Sequence, residues 1–77
     1  MTPKASRGAG DPAAHEAAAG EHERRALAHE LRADDLAGSG REREAAREWE
    51  RAARERTLAQ RERDLAERAR AGGHPAT

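Results

Sequence analysis

Three His-Glu dipeptides recur at seven-residue intervals: His15-Glu16, His22-Glu23 and His29-Glu30. Imidazole binds metal ions and titrates near neutrality, so a metal site or a pH-sensitive helix contact is the chemistry to test first. The spacing argues against a metal. Residues seven apart on one helix stand about 10 Å apart, too far for two rings to share an ion. Chelation needs an i,i+4 pair or a ring from a second chain. The expectation is three solvated His on a polar helix face, with no metal or cofactor assigned.

Fourteen Arg raise the possibility of nucleic-acid binding, but 15 basic residues are balanced by 15 acidic ones and the pI is near 6.9. Residues 41–71 carry ten Arg against seven Glu and one Asp, interleaved throughout. Phosphate binding favours a positive face, so nucleic acid is disfavoured. The acid-first i,i+4 pairs Glu21–Arg25, Glu50–Arg54 and Asp64–Arg68 suit a solvated helix, each worth about 0.2–0.5 kcal/mol. Catalysis is excluded on similar grounds. Carboxylates and His are plentiful, but a perturbed acid or base needs a buried pocket that nothing here can wall off. Ser6 lies in an N-terminal arm and Ser39 at a helix cap, so no catalytic residue is assigned and no small-molecule ligand is expected.

The apolar fraction is 35%, yet 20 of those residues are Ala; the others are five Leu, Trp49 and Met1. Val, Ile, Phe, Tyr, Cys and Asn are absent. Without Cys there is no disulfide framework or thiolate metal site. No apolar run reaches the roughly 18 residues of a membrane span, and the first twelve residues lack a secretory signal's apolar stretch. The default expectation is a cytoplasmic protein with no membrane partner. Six large apolar side chains are too few for a rigid monomeric core, so the chain is expected to need a partner or to stay partly disordered.

The elements that position these residues are two helices. Residues 1–11 have no periodicity and are expected to be a disordered arm. Asp11-Pro12 is a helix start, with Asp as N-cap and Pro in the first turn, and helix 1 is expected over 12–37. Gly20 interrupts it at a cost of about 1 kcal/mol. Gly38 is expected to take the left-handed stop position. After a turn at 38–40, Ser39-Gly40-Arg41-Glu42 fits an S-x-x-E capping box. Helix 2 then runs over 41–71, about 46 Å long at 1.5 Å per residue, before a disordered tail at 72–77.

Helix 2 is an internal repeat. Cut every seven residues from Ala45 it reads AAREWER, AARERTL, AQRERDL and AERARAG, with Ala first and Arg third in all four units. A sustained seven-residue period favours a left-handed supercoil. The seam is thin in either register. With Leu58 and Leu65 at one core position, the other holds Glu55, Glu62 and Ala69. With the Ala column there, the other holds Trp49, Arg56, Arg63 and Arg70. A narrow Ala stripe remains, with Leu on one flank and Trp49 on the other.

The fold class is therefore all-α, an αα-hairpin or a weak coiled coil. Antiparallel folding about Ser39 sets Trp49 opposite His29 within reach of Leu27 and Leu31, Leu58 against the Gly20 region, and Leu65 at the start of helix 1. The candidate helix–helix contact is Leu27, Leu31, Trp49, Ala52, Leu58, Ala59, Leu65 and Ala66. Trp49, the one aromatic, is either buried in the hairpin or an anchor for a partner.

At residues 52–70, AARERTLAQRERDLAERAR, the chain resembles the Ala/Arg/Glu/Asp heptad segments of small hydrophilic proteins from high-GC actinobacteria, which also occur beside signalling domains. One Lys against fourteen Arg accords with GC-rich coding. It also looks like the amphiphilic repeat proteins that accumulate under desiccation, although those show an eleven-residue period. The resemblance implies a helical, hydrophilic protein and brings no functional residues with it. The leading expectation is a non-catalytic module that binds itself or another protein helix. A hydrophilic protectant that is disordered in dilute solution is the alternative, and a weak nucleic-acid binder is the third.

Overall fold

A computed structural model describes residues 11–72 as two α-helices, α1 (Pro12–Gly38) and α2 (Glu42–Gly72), packed side by side as an antiparallel hairpin. There is no strand among the described residues. The expected arm and tail lie outside them, apart from Asp11 and Gly72. Among the described residues no helix is long and apolar enough to cross a membrane.

The start of α1 follows the sequence signal. Asp11 has extended backbone (φ −92°, ψ 108°), its Oδ1 accepts from the Ala13 amide at 3.0 Å, and Pro12 opens the helix. This satisfies one of the unpaired amides that every helix start leaves. Gly20 does not interrupt α1, which runs unbroken through it. In α2, Glu42 and Glu44 in the first turn and Arg70 in the last complement the helix dipole.

The turn corrects two expectations. Gly40, not Gly38, takes the left-handed conformation (φ 81°), and α1 continues through Gly38. The Arg41 amide donates to the Leu36 carbonyl at 2.8 Å and the Gly40 amide to the Ala37 carbonyl at 3.0 Å. These are the two bonds of a Schellman stop with glycine just past the last helical turn. The S-x-x-E capping box does not form. The Ser39 hydroxyl donates back to the Asp35 carbonyl at 3.0 Å, and Ser39 ends α1. The Ala45 amide bonds to the Arg41 carbonyl at 3.0 Å, so α2 starts two residues later than a Ser39 cap would require. Ser39 served the helix behind it because the Gly40 turn closes over that end.

Between the helices lies alanine. Ala19, Ala26 and Ala33 of α1 and Ala45, Ala52, Ala59 and Ala66 of α2 are all at most 3% exposed. Both sets repeat every seven residues, so each helix presents one straight column to the other. Among the described residues no large side chain is fully buried. Methyl groups alone let two backbones approach closely, which gives α-helices with few big apolar residues a continuous contact.

Candidate functional site

On an α-helix, the residues three and four before a given position flank it on opposite sides of the same face. In this hairpin the flanks of the alanine columns carry ionisable side chains, with Trp49 the exception beside Ala52, and they pair across the seam. The residues four before the alanines of α1 are His15, His22 and His29. Their Nδ1 atoms meet the Oε1 atoms of Glu62, Glu55 and Glu48 at 2.8, 2.7 and 2.7 Å. An ionised carboxylate only accepts hydrogen bonds, so opposite one the tautomer with the proton on Nδ1 is the one that makes the bond. The residues three before those alanines are Glu16, Glu23 and Glu30, and they pair with Arg70, Arg63 and Arg56. In the Glu30 rung, Arg56 donates to Oε2 through Nη2 at 2.6 Å and Nε at 3.1 Å.

Each step of seven up α1 is met by a step of seven down α2, so two ladders of three rungs run along the two edges of the alanine seam. The sequence motif is H-E-x-x-A three times in α1 and E-R-x-x-A at Glu55 and Glu62 in α2. In the unit beginning at Glu48, Trp49 stands where the other units carry Arg.

The expectation of solvated His is thus overturned. His15, His22 and His29 are half-buried at the edge of the seam and bonded across it. Considering only spacing within one helix hid the partner, which lies on the other. Two rings still never converge, and among the described residues no three His, Cys, Asp or Glu side chains gather as a metal would require.

Glu48 is the most enclosed charge, 7% exposed. Besides His29 it receives Arg51 Nη1 on Oε2 at 3.0 Å, and Arg32 Nη1 lies 3.6 Å from Oε1. The hydrogen bond from His29 holds its carboxyl below the ordinary carboxylate value; partial burial opposes this, and the charges of Arg32 and Arg51 add to the lowering. Glu21 is also lowered, mainly by its hydrogen bond from Arg24 at 2.7 Å and by that guanidinium's charge.

Of the expected contact residues, Ala52, Ala59 and Ala66 lie buried in the seam, and Leu58 and Leu65 sit half-buried on its histidine side. Leu27, Leu31 and Trp49 do not close a core: they are 54%, 67% and 45% exposed. The register placing Trp49 level with His29 agrees with the ladders, but the facing differs. Leu27 follows a buried Ala by one residue, which turns it outward, and Trp49 stands at the edge of the seam in the column of Arg56, Arg63 and Arg70. The expected contact omits the alanine column of α1, although Ala19, Ala26 and Ala33 repeat at the same interval as those of α2. Of the three expected i,i+4 pairs, Arg25 lies 3.8 Å from Glu21. Glu50–Arg54 and Asp64–Arg68 do not form, and Asp64 accepts from Gln60 at 3.1 Å instead.

No protein-family model, curated protein or solved structure matches the chain.

Proposed function

We propose that this hairpin is a small, non-catalytic protein–protein interaction module that docks on a second copy or on another protein helix. One observation carries it: the seam is filled by alanine, which leaves the large side chains Leu27, Leu31 and Trp49 outside it. Leu27 and Leu31 are neighbours on α1 at i,i+4. Trp49 occupies the same edge of the hairpin as the Glu30–Arg56 rung, one turn from Leu27 in the antiparallel register. Tryptophan is enriched among residues that dominate binding energy because it buries a large rigid area. The ladders support this by holding the hairpin together without drawing on those side chains.

The test is sedimentation velocity and Trp49 emission from micromolar to millimolar concentration, with a pulldown using the same chain as bait. The comparison protein carries Leu27→Ala, Leu31→Ala and Trp49→Ala, exposed positions at which Ala preserves helicity. Association or retention of a partner by the parent and not by the triple variant is expected. A parent that stays monomeric throughout and retains nothing the triple variant does not would refute the proposal.

A further inference from the structure

The sequence repeat contains a column that the hairpin does not use. Arg47, Arg54, Arg61 and Arg68 stand two residues after buried alanines, which points them away from α1. All four are exposed, and among the described residues none forms an ion pair, whereas Arg56, Arg63 and Arg70 each meet a glutamate of α1. Leu58 and Leu65, half-buried, lie between successive members of this row at i+4: Arg54, Leu58, Arg61, Leu65, Arg68.

We infer that this outer strip of α2 receives an acidic amphipathic helix from another protein. Such a helix would carry carboxylates at seven-residue intervals beside an apolar column. The assignment rests on the hairpin being an interaction module, but it uses a different face from Trp49.

The molecule itself supplies the template. Its own Arg column at seven-residue spacing meets a Glu column at the same spacing on an antiparallel helix, in three successive rungs. The outer row repeats that spacing about 10 Å apart with no ion-pair partner among the described residues. Charge complementarity therefore calls for carboxylates on a helix. The two leucines call for an apolar column beside them, which a bare phosphate backbone does not provide. Glu50 and Asp64 lie next to the row at i+3 from Arg47 and Arg61 and break its positive field. A continuous polyanion would meet them as repulsion, whereas a helix with one carboxylate per seven residues can align between them.

The probe is a synthetic 28-residue, dye-labelled, Ala-based helix with a Leu column and a Glu column at seven-residue spacing. Its control has Gln for Glu, and both are titrated with the full chain by fluorescence anisotropy. Four exposed ion pairs at the low end of their range predict about fourfold weaker binding for the Gln control, with weakening as salt is raised. The variant R47Q/R54Q/R61Q/R68Q is expected to keep the hairpin's helicity by circular dichroism and to lose a similar factor in affinity. The triple variant at Leu27, Leu31 and Trp49 is expected to bind the probe as the parent does.

Equal binding of the Glu and Gln peptides, or an unchanged affinity in the quadruple variant, would overturn the assignment. So would no binding at millimolar peptide, or tighter binding of a single-stranded or duplex DNA oligonucleotide. Loss of the probe through the Leu27, Leu31 and Trp49 substitutions alone would also overturn it, while leaving the module itself standing.

Discussion

Reversing one rung tests whether the ladders are interactions or coincidences of packing. The Glu30–Arg56 rung suits this because its geometry is bifurcated, with both donors on one carboxylate oxygen. Glu and Arg also have similar helix propensities, so substitution leaves the helices intact. Two unit charges 4 Å apart interact by about 1 kcal/mol in water and about 4 kcal/mol at an effective dielectric of 20. Arg56 and Glu30 are 48% and 27% exposed, and solvent screening at such sites reduces a pair to about 0.2–1 kcal/mol. Glu30→Arg removes that attraction and adds a repulsion of similar size, a loss of about 0.5–2 kcal/mol. For a chain this short, each kcal/mol lowers Tm by about 4–8 °C. Arg56→Glu is expected to cost about the same.

The double variant restores the rung with its polarity exchanged and should recover most of the loss. Thermal unfolding followed by circular dichroism in low salt gives the four corners of the cycle. In 1 M salt, where the Debye length is about 3 Å, the coupling should fall toward zero. If the two single losses simply add in the double variant, the rung is not an interaction and the ladder account fails.

Three further outcomes follow from the same geometry. Gly20→Ala should stabilise by about 0.5–1 kcal/mol in chemical denaturation, because its φ is not positive and a new Cβ would meet only Arg24 Nη1 at 3.8 Å. Ala26→Leu should destabilise by about 1–3 kcal/mol, since Ala26 is 0% exposed and one large side chain would wedge apart helices joined by methyl groups; a neutral effect would mean that the seam is loose. Glu48 has a folded-state pKa below its ordinary 4.5, so the folded state favours the ionised form. Its contribution to stability is full above pH 4.5 and is lost as pH falls through the lower folded value. Acid titration of stability in the parent and in Glu48→Gln should diverge in that window, the variant being flatter.

Much of this hairpin is legible in the sequence because its repeats are so regular. The Asp11-Pro12 start, the unbroken second helix, the turn near Ser39 and the burial of Ala52, Ala59 and Ala66 all follow from local chemistry and a period of seven. The ladders were hidden for a different reason. A row of Arg beside an alanine column looks like a defect when each helix is judged alone, because a self-complementary seam wants apolar residues at both positions. Only when the H-E columns of α1 are set against the E-R columns of α2 in antiparallel order do the charges become the edges of the contact. The turn misled for a local reason. Gly38 and Gly40 are equally able to adopt a positive φ, and the two carbonyls satisfied at Leu36 and Ala37 decide for Gly40. Ser39 is suited equally to ending one helix and beginning the next.

The sameness of the rungs carries a cost in uniqueness. Sliding α2 by seven residues along α1 would re-form two of the three His–Glu rungs and two of the three Glu–Arg rungs, and would return alanine to alanine. The paired helices thus behave like a ruler with identical marks, unable by themselves to say which mark is zero. The aperiodic junction does: Ser39, Gly40 and Arg41 are too short a tether to permit a slip of about 10 Å. Cut at Gly40, the two helices would still recognise one another while losing their alignment, and copies offset by one repeat could join end to end. The few residues with no part in the repeat therefore decide whether the same surfaces make a closed hairpin or an open-ended fibre.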